Sequence, residues 1–582
     1  MHCRLFLASV CCVLAVAVAG SQAATRPNVI LVITDDQGYG DVGVHGNSMI
    51  RTPNLDKLHK QSVRLTDYHV DPTCSPTRAA LMTGRYSTRT GVWHTIMGRS
   101  IMETKEVTVA EVFVASGYRT AMFGKWHLGD NYPCRPQDQG FERAFYHGGG
   151  GVGQTPDVFG NKYFDDTYFR NGIKEKAEGY CTDVWFREAT KFIKANKDEP
   201  FFVYLSTNAP HGPFLVADKY SKPYRDRGVP GSMAAFYGMI TNIDENMGRL
   251  TATLNELKLA ENTILIFTTD NGTAAGAGRR RKPGGTAAGS WSGFNAGMRG
   301  AKGSEYDGGH RVPFFVRWPA GLGSRGRDEA ALTAHIDVLP TLTELCGLSK
   351  PKDVAFDGIS VAPVLKNTAA SWPARTLLVH SQRIEHPQKG RKCSVMTKQF
   401  RLVNGKELYD IKADPGQQTN VAADYPEEFK RLSQRYDTWW KSLSGVFDDY
   451  VRISLGADAE NPANLTCHDW HTNNGPVPWN HGHIRSGAMG NGFWAVNVDR
   501  AGQYEITLRR WPQEVKKSLE AVAARVQIGG VDEKQKVLAE ATATTFKIGL
   551  KEGPARLQTW LTLPNGKQRG AYFVEVKRIA GP

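Results

Sequence analysis

Three apolar runs, far apart in the sequence, constrain the fold more than any other feature of this chain. They cover residues 28–33, 201–206 and 263–269 and consist mainly of β-branched and aromatic residues. A run without polar alternation is typical of a strand buried on both faces, as in a parallel sheet covered by helices. Ligands gather at the carboxyl ends of such strands, so the sequence predicts a binding site at that edge. The segments that follow the runs are polar: Thr34-Asp35-Asp36, Thr207 to Pro213, and Asp270-Asn271-Gly272.

Asp35 and Asp36 form an acidic pair directly after the first run. Two adjacent carboxylates at a strand end repel each other and lose hydration unless a cation compensates them. A hard divalent metal ion would do so, and Asp270 and Asn271 offer the same kind of oxygen ligand after the third run. For an isolated acidic pair the alternative is a helix N-cap or an Asx turn. The pattern therefore indicates either a metal site or a turn.

Basic side chains follow two predicted strands. Residues 118–123 form one of them, which runs into Gly124-Lys125-Trp126-His127. If strand geometry continues, Lys125 and His127 project to the same side. His211 lies between two prolines after the second run, a stiff position that suits a proton donor. Packing alone would also explain either histidine.

The pattern of elements divides the chain into three parts after its amino terminus. Residues 25–374 alternate buried strands with amphipathic helices, which is typical of an α/β domain. Residues 375–449 contain an expected antiparallel hairpin, with Asn404-Gly405 at its turn, and a helix at 426–443. After about residue 450 the α/β pattern stops, and two segments, 499–512 and 553–578, alternate as exposed strands do, so we expect a separate β-sandwich over residues 450–582. Four tryptophans form either its core or a face that stacks on sugars: Trp470, Trp479, Trp494 and Trp511.

The amino terminus carries the features of an export signal. Arg4 precedes the apolar residues 5–19, and small residues follow, so residues 1–24 are predicted to be a cleaved signal peptide. That run is too short to span a bilayer comfortably, and no later stretch has about 18 uninterrupted apolar residues. We therefore expect an exported protein, periplasmic or secreted, without a membrane span.

Charge and cysteine content narrow the partners. The formal charge of +14 favours an anionic partner. Zinc-finger spacing and RNP-like aromatic patterns are absent, so nucleic acid is not expected. The basic run Arg279 to Lys282 is either solvated loop or a segment that attracts an anionic polymer to the site.

Of the nine cysteines, Cys3, Cys11 and Cys12 leave with the signal peptide. If Cys74 is used chemically, the remaining five allow at most two disulfides.

The stretch Cys74-Ser75-Pro76-Thr77-Arg78 places a thiol, a proline and an arginine at fixed offsets before a helical run that ends at Gly84. A lone cysteine can be a nucleophile, a metal ligand, half of a disulfide or part of the core. The C-x-P-x-R spacing and its continuation to Thr83-Gly84-Arg85 are far more specific. This segment resembles the activation motif of the type I sulfatases. In that family the cysteine is converted to formylglycine after translation.

The resemblance extends over residues 26–445, with further matches in the family order. It implies an α/β fold similar to alkaline phosphatase: a mixed sheet between helices, followed by a small C-terminal antiparallel subdomain. The extra β-sandwich lies outside it. The matching segments are Thr34 to Asp36, Gly124 to His127, Pro210-His211, Asp270 to Gly272, and Lys302 with Gly308 to Pro313.

The resemblance also implies a role for each matched residue. The modified residue at 74 binds Ca²⁺ together with Asp35, Asp36, Asp270 and Asn271. Arg78 and His127 hold the aldehyde hydrate, which attacks sulfur. Lys125 and Lys302 contact sulfate oxygens, and His211 protonates the leaving oxygen. A formylglycine-generating enzyme or a radical maturase is the implied partner. Four more residues are expected to contact substrate: His310, Arg311, Trp93 and His94.

Export, positive charge and the β-sandwich favour a sulfated carbohydrate, or an aryl sulfate, as the substrate. Two other functions remain open from the sequence. The same fold carries hydrolases of phosphoesters and phosphonates, although the C-x-P-x-R spacing favours sulfate. A non-catalytic binder of sulfated glycans is the second alternative, and the presence of every polar site residue argues against it.

Overall fold

A ten-stranded mixed sheet lies at the centre of the first part of the chain. The computed structural model describes residues 26–275, 293–352, 354–473 and 475–580. The strand order is β10-β2-β9-β8-β1-β7-β3-β4-β5-β6. The strands are β1 Asn28–Thr34, β2 Val63–His69, β3 Arg119–Lys125, β4 Arg143–His147, β5 Thr167–Arg170, β6 Ile173–Lys176, β7 Phe201–Ser206, β8 Thr263–Thr269, β9 Phe314–Arg317 and β10 Arg327–Ala334.

The three apolar runs become β1, β7 and β8, as predicted. β1 lies between β7 and β8 and is parallel to both, and β3 is parallel to β7 on its other side. Four neighbouring strands therefore end at the same edge of the sheet. β9 is antiparallel to its neighbours β2 and β8, and β4, β5 and β6 pair with one another in antiparallel fashion. The sheet is thus mixed, as expected.

Helices cover both faces of this sheet. Alternate residues of β1 belong to different cores: Val29, Leu31 and Ile33 to one, Ile30 and Val32 to the other. The first core contains α2, α3, α9 and α10, and the second contains α1, α4 and α6. The helices are α1 Pro53–Lys60, α2 Cys74–Thr83, α3 Val109–Ala115, α4 Cys181–Ala195, α5 Asp218–Arg225, α6 Gly231–Glu256, α7 Asp307–His310, α8 Pro319–Leu322, α9 Val338–Leu345, α10 Ala362–Leu365, α11 Pro426–Leu443 and α12 His481–Ser486.

Helix α2 is buried along its entire length. It begins at Cys74, directly after the extended residue Thr73, and ends at Gly84, whose φ of +68° is left-handed. The N–H of Gly84 donates to the carbonyl of Ala80, which is a common way to end a helix. Ala79 packs in the first of the two cores that cover the sheet, whereas Ala80 packs in the core of the C-terminal subdomain. The Cys74 motif is therefore fixed between two packed units.

The C-terminal subdomain contains a four-stranded antiparallel sheet and α11. Asn404 and Gly405 form the hairpin turn with φ of +54° and +63°. These values suit the tight turn that the sequence predicts, because asparagine and glycine tolerate positive φ. The strands are β11 Leu377–His380, β12 Cys393–Met396, β13 Phe400–Val403 and β14 Glu407–Asp410.

The last part of the chain forms two facing sheets with one apolar core, so the predicted β-sandwich is present. It is not a separate body, because its core also includes Ile101 and Cys134 from the first part. Among the tryptophans, Trp470, Trp494 and Trp511 are core residues, whereas Trp479 is 37% exposed. The strands are β15 Ile453–Leu455, β16 Ala463–Thr466, β17 Phe493–Val498, β18 Gly502–Arg509, β19 Ala523–Ile528, β20 Val531–Lys536, β21 Thr544–Leu550, β22 Gly553–Thr562, β23 Gln568–Arg569 and β24 Phe573–Ala580.

The remaining sequence predictions concern the signal peptide, the basic run, membrane spans and the cysteines. The predicted signal peptide and the basic run Arg279 to Lys282 lie outside the described residues. Among the described helices, none is both long and apolar enough to cross a membrane. The six cysteines in the described ranges are buried free thiols: Cys74, Cys134, Cys181, Cys346, Cys393 and Cys467.

Gly124 provides a test of the close packing of β3 against β7. It lies in β3 with φ of +107°, and a Cβ atom there would be 1.8 Å from the backbone oxygen of Ser206 in β7. We expect Gly124→Ala to lower the free energy of unfolding by about 3 kcal/mol or more, measured by denaturant titration. Gly160 is the matched control, because its φ is +102° but a Cβ atom added there would have no neighbour within 4 Å. Gly160→Ala should cost only about 1 kcal/mol. Equal losses would contradict the steric argument.

Candidate active site

The carboxyl-end edge of the sheet brings together the polar segments that the sequence singles out. Asp35 and Asp36 follow β1, Asp270 and Asn271 follow β8, and the four side chains are buried. Lys125 is the last residue of β3, two strands from β1. Cys74 and Arg78 reach the same place from the first turns of α2: Cys74 Sγ lies 3.4 Å from Asp35 Oδ1, and Arg78 contacts Asp270.

The acidic groups form a compact cluster. Asp35, Asp36, Asp270 and Cys74 each place one potential ligand atom within 4.8 Å of the others. The N–H of Asp36 donates to Asp270 Oδ1 at 3.1 Å, and Asp36 has a φ of +69°. A non-glycine residue in this conformation costs free energy and is common at functional sites. The acidic pair is therefore not a simple helix cap but part of a structured cluster.

Three cations compensate the three carboxylates. Lys125 Nζ lies 2.7 Å from Asp35 Oδ2. Lys302 Nζ lies 2.6 Å and 2.8 Å from the two oxygens of Asp36. Arg78 donates to Asp270 Oδ2 from two nitrogens, at 2.7 Å and 3.1 Å. Since an unpaired buried charge is strongly destabilising, these contacts are a condition for the cluster to exist.

The carboxylates differ in their protonation. Burial raises the pKa of Asp35 to about 8, and the charge of Asp270 adds to this effect. Burial acts on Asp36 as well, but Lys302 and His211 outweigh it and hold the pKa of that carboxyl well below its usual range. Arg78 similarly outweighs the effect of burial and lowers the pKa of Asp270. A divalent cation would favour the ionised form of all three groups.

The donor set fits a hard divalent cation. Three carboxylates provide oxygen atoms, which is the ligand type that Ca²⁺ prefers. Asn271 adds a further observation: its Nδ2 donates to Asp36 Oδ1 at 2.8 Å, while its buried Oδ1 accepts no hydrogen bond from any residue that the structure describes. A buried carbonyl oxygen without a donor is costly, and a cation would satisfy it.

The thiol of Cys74 is buried beside the carboxylates. Burial raises its pKa to about 12, and the charge of Asp35 adds to the shift. Since the thiolate is the nucleophilic form, these surroundings disfavour the reactive state of an unmodified Cys74 in the chain without a bound cation.

Two histidines flank the cluster as neutral rings. Nε2 of His127 donates to the carbonyl of Thr95 at 2.8 Å, which leaves its buried Nδ1 as an acceptor without a partner. Nδ1 of His211 donates to the carbonyl of Gly212 at 2.6 Å, and its Nε2 lies 3.8 Å from Asp36 Oδ2. Burial, reinforced by Lys302, lowers the pKa of His211 to about 4. Burial, reinforced by Lys125, lowers the pKa of His127 well below its usual value.

A cavity of about 130 Å³ opens onto these groups. Gly150, from the loop after β4, is one of the residues that line it. Sequence reasoning missed Gln154 and Arg383, and it named Trp479 only as one of four tryptophans. The lining residues are Cys74, Thr95, Ile96, His127, Gly150, Gln154, His211, Lys302, Arg383 and Trp479.

The four residues expected to contact substrate do not line this cavity, and their contacts explain why. Trp93 is buried and donates from Nε1 to the carbonyl of Ile384 at 3.1 Å. His94 Nδ1 accepts the N–H groups of the next two residues at 2.7 Å and 3.1 Å. Arg311 donates from Nε to the carbonyl of Thr66 at 2.9 Å. These side chains contact neighbouring backbone groups, and none of the three is among the residues that line the cavity in the described part of the chain.

The fourth of these residues, His310, belongs to a second buried cluster. Its Nδ1 lies 2.9 Å from Nδ1 of His69, and Asp307 is close enough for the three to be possible metal ligands. Arg401 already occupies this cluster, with Nε 3.0 Å from Asp307 Oδ1. Because a guanidinium compensates the carboxylate, the cluster connects the C-terminal subdomain to the sheet without requiring a metal ion.

Comparison with known proteins agrees with this geometry. The sulfatase family model matches residues 27–348, and a model for the C-terminal part of N-sulphoglucosamine sulphohydrolase matches residues 301–438. Human arylsulfatase A is 30% identical over 77% of this chain and 94% of its own length. N-acetylgalactosamine-6-O-sulfatase of Bacteroides thetaiotaomicron is 28% identical over 71% of this chain and 93% of its own.

Solved structures give the same result. The crystal structure of Ps i-CgsB is 26% identical and superposes with a TM-score of 0.63 over 71% of this chain and 93% of that one. The family match spans more than half of the chain, and it includes the cluster at the sheet edge and the helix that begins at Cys74. The chain therefore belongs to the sulfatase family and is a sulfuric ester hydrolase.

Proposed function

We propose that this protein removes sulfate from a sulfated carbohydrate, using formylglycine at position 74 and Ca²⁺ bound at the sheet edge. One observation supports this more than any other: Cys74 Sγ lies 3.4 Å from Asp35 Oδ1, inside the cluster of three carboxylates. Burial disfavours the nucleophilic thiolate there, whereas the surrounding charges suit a modified side chain beside a cation.

The names of the relatives and the charge of the chain support the substrate class. One relative is an N-acetylgalactosamine-6-O-sulfatase, and Ps i-CgsB has been solved in complex with k-i-k-neocarrahexaose. The formal charge of +14 favours a polyanionic substrate. Large sulfated carbohydrates are extracellular material, which agrees with the export that the amino-terminal sequence predicts. Aryl sulfates are the second substrate class, since human arylsulfatase A is also a relative.

The proposed Ca²⁺ ion and the aldehyde on residue 74 would supply one part of the chemistry, and the side chains of the protein would supply the rest. When bound, Ca²⁺ and the hydrated aldehyde supply a Lewis acid and an oxygen nucleophile. Asp35, Asp36, Asp270 and Asn271 would hold the ion together with residue 74. Conversion of Cys74 requires a maturation enzyme, either formylglycine-generating or radical. We assign the remaining functions to the chain's own basic and histidine side chains at the sheet edge.

Arg78 would orient a hydroxyl of residue 74, and the two lysines would bind the sulfate group. Burial disfavours a charge on Arg78, but Tyr204 and Asp270 raise its pKa above the usual value and keep the guanidinium ionised. Arg78 is therefore a fixed positive group beside residue 74 that orients a hydroxyl. Lys302 lines the cavity, and Lys125 is fully buried with its Nζ 2.7 Å from Asp35, the residue that contacts Cys74; we assign both ammonium groups to the sulfate oxygens.

The two histidines have different roles: His127 would accept a hydrogen bond from residue 74, and His211 would transfer a proton. His127 presents its unpartnered Nδ1 as an acceptor, which suits a hydroxyl donor at residue 74. His211 is neutral in the free chain, and the negative charge of a bound sulfate ester favours its protonated form. Protonated His211 can then transfer its proton to the leaving oxygen.

Replacement of Cys74 tests the modified nucleophile. We expect Cys74→Ala to reduce sulfate release by about 1,000-fold or more, because the methyl side chain of alanine cannot be converted to the aldehyde. Cys346→Ala is the matched control, since Cys346 is also a buried free thiol but lies at the end of α9. It should keep the activity of the wild type per folded molecule.

Mass spectrometry of the peptide around position 74 completes this test. Active preparations should contain formylglycine in proportion to their activity. Full activity of a preparation that contains only cysteine at position 74, or of Cys74→Ala, would contradict the proposed mechanism.

Metal removal tests the cation site. A ligand that binds only the folded chain stabilises it, by about 2.7 kcal/mol at a hundredfold excess over its dissociation constant. Chelation should therefore lower the Tm of the wild type, and Ca²⁺ should restore it. We expect Asp270→Asn to lose this response, whereas Asp41→Asn, a buried carboxyl outside the cluster, should keep it. A wild type without bound calcium by elemental analysis, and without a Tm response, would rule out the site.

His211 is tested by the leaving group. A sugar alcohol leaves poorly without a proton, whereas 4-nitrophenolate leaves readily. We expect His211→Gln to reduce kcat for a sugar sulfate by about 100-fold or more, and for 4-nitrophenyl sulfate by less than about tenfold. The comparison of kcat values for the two esters checks this. Equal losses on both esters would indicate that His211 binds substrate without transferring a proton.

A further inference from the structure

Three parts of the chain meet at the mouth of the active-site cavity. Gln154 comes from a loop of the α/β part, Arg383 from the loop after β11, and Trp479 from the loop before α12 in the β-sandwich. Gln154, Arg383 and Trp479 are not members of the carboxylate cluster found among the described residues. They lie where the part of a substrate beyond its sulfate group must pass.

Trp479 presents an aromatic face to this mouth. It is 37% exposed, whereas Trp470 and Trp494 of the same β-sandwich are fully buried. Its backbone is fixed to the α/β part, because Thr155 donates from its N–H to the carbonyl of Trp479 at 3.0 Å and from Oγ1 to that of Pro478 at 2.7 Å. An exposed indole on a fixed backbone is a preorganised apolar surface at the entrance.

Arg383 is held in place equally firmly. Its φ of +47° is left-handed, an unfavourable conformation for arginine. Trp93 stabilises it on both sides: the carbonyl of Trp93 accepts the N–H of Arg383 at 3.2 Å, and Trp93 Nε1 donates to the carbonyl of Ile384 at 3.1 Å. The strained backbone therefore serves to place this side chain at the cavity.

The charge of Arg383 distinguishes it from the other cations of the site. Lys125 and Lys302 are each paired with a carboxylate, as is Arg78. The exposed guanidinium of Arg383 forms no ion pair with any residue in the described ranges. An arginine without a carboxylate partner at the rim of a small cavity is suited to bind an anion in a planar, bidentate manner.

We propose that Trp479 and Arg383 form a substrate-recognition site for a sulfated sugar that carries a second anionic group. The sugar ring lies against Trp479, and Arg383 binds a second sulfate or a uronic carboxylate, while the ester to be cleaved enters the cavity. This inference rests on the proposed function, since it specifies the substrate of the same site. It makes the β-sandwich a part of the active site and not an accessory module.

The volume of the cavity agrees with this division. A cavity of about 130 Å³ is well below the several hundred Å³ of pockets that enclose a whole drug-sized ligand. It accommodates the sulfate group and the adjacent edge of one ring. The remainder of the ring and its other substituents must therefore bind at the mouth, where Trp479 and Arg383 lie.

Steady-state kinetics with matched sugars test the site. The probes are the 6-sulfates of N-acetylgalactosamine, glucosamine and galactose, each compared with a disulfated form and with a disaccharide in which glucuronate is attached. Sugars that are not hydrolysed are measured as inhibitors of 4-nitrophenyl sulfate hydrolysis. The readout is the preference for a doubly anionic sugar over its monosulfated counterpart, and the two arms separate a sulfate from a carboxylate as the second group.

In the wild type we expect at least one doubly anionic sugar to be preferred by about tenfold or more, mainly through KM. Arg383→Gln should reduce this preference to near one, and Arg383→Lys should restore part of it, because lysine keeps the charge but not the bidentate geometry. Lys389→Gln is the matched control: it removes a charge from an exposed lysine that pairs with Asp437, and should leave the preference unchanged.

For the aromatic surface, Trp479→Ala should weaken the binding of every sugar probe by about three- to tenfold, measured as KM or as the inhibition constant. Trp479→Phe should keep most of the affinity. The inference is overturned if no doubly anionic sugar is preferred, or if Arg383→Gln retains the preference. It is also overturned if Trp479→Ala leaves every sugar unaffected. A wild type that carries formylglycine and hydrolyses none of these esters would contradict the proposed function itself, which separates the two failures.

Discussion

The balance of three buried carboxylates against three cations at the end of the sheet is the constraint on which the rest of this structure depends. Asp35, Asp36 and Asp270 lie within a few ångströms of one another, and each contacts a lysine or arginine. Loss of Lys302 or Arg78 would leave the ionised carboxylate of Asp36 or Asp270 buried without its cation, at a cost of about 3–5 kcal/mol. The cations come from a strand, a helix and a loop that are distant in sequence, so the charge balance also fixes how these elements pack.

Under the proposed function, this balance would act on a group that the chain does not itself encode. Burial raises the pKa of the Cys74 thiol to about 12, which disfavours its nucleophilic form in the chain without a bound cation. An oxygen nucleophile on residue 74, beside a divalent cation, would take its place. Under the proposed function, Lys125 and Lys302 bind sulfate as well as carboxylates, which links metal binding to substrate binding through shared charges. The stability of the fold and the chemistry of the site therefore depend on the same side chains.

The sequence predicts the inner part of the site well because its signals are local. Buried strands that end in acidic residues identify the edge, and the fixed spacing of Cys74 and Arg78 places both on one buried helix. The outer part has no such signal. Arg383 and Trp479 reach the cavity only through packing between parts of the chain that are hundreds of residues apart. Trp93 and His94 are two of the residues expected to contact substrate, but both side chains are buried and contact neighbouring backbone groups instead.

The β-sandwich shows most clearly why order along the chain is a poor guide to function here. Glu385, two residues after Arg383, accepts hydrogen bonds from Arg99 of the α/β part at 3.1 Å and from His471 of the β-sandwich at 3.0 Å. The loop that carries Arg383 is thus fixed by both parts. Trp479 is in turn fixed to the loop that carries Gln154. Because each side of the cavity mouth is held by a different part of the chain, the shape of the mouth depends on the packing of the whole molecule.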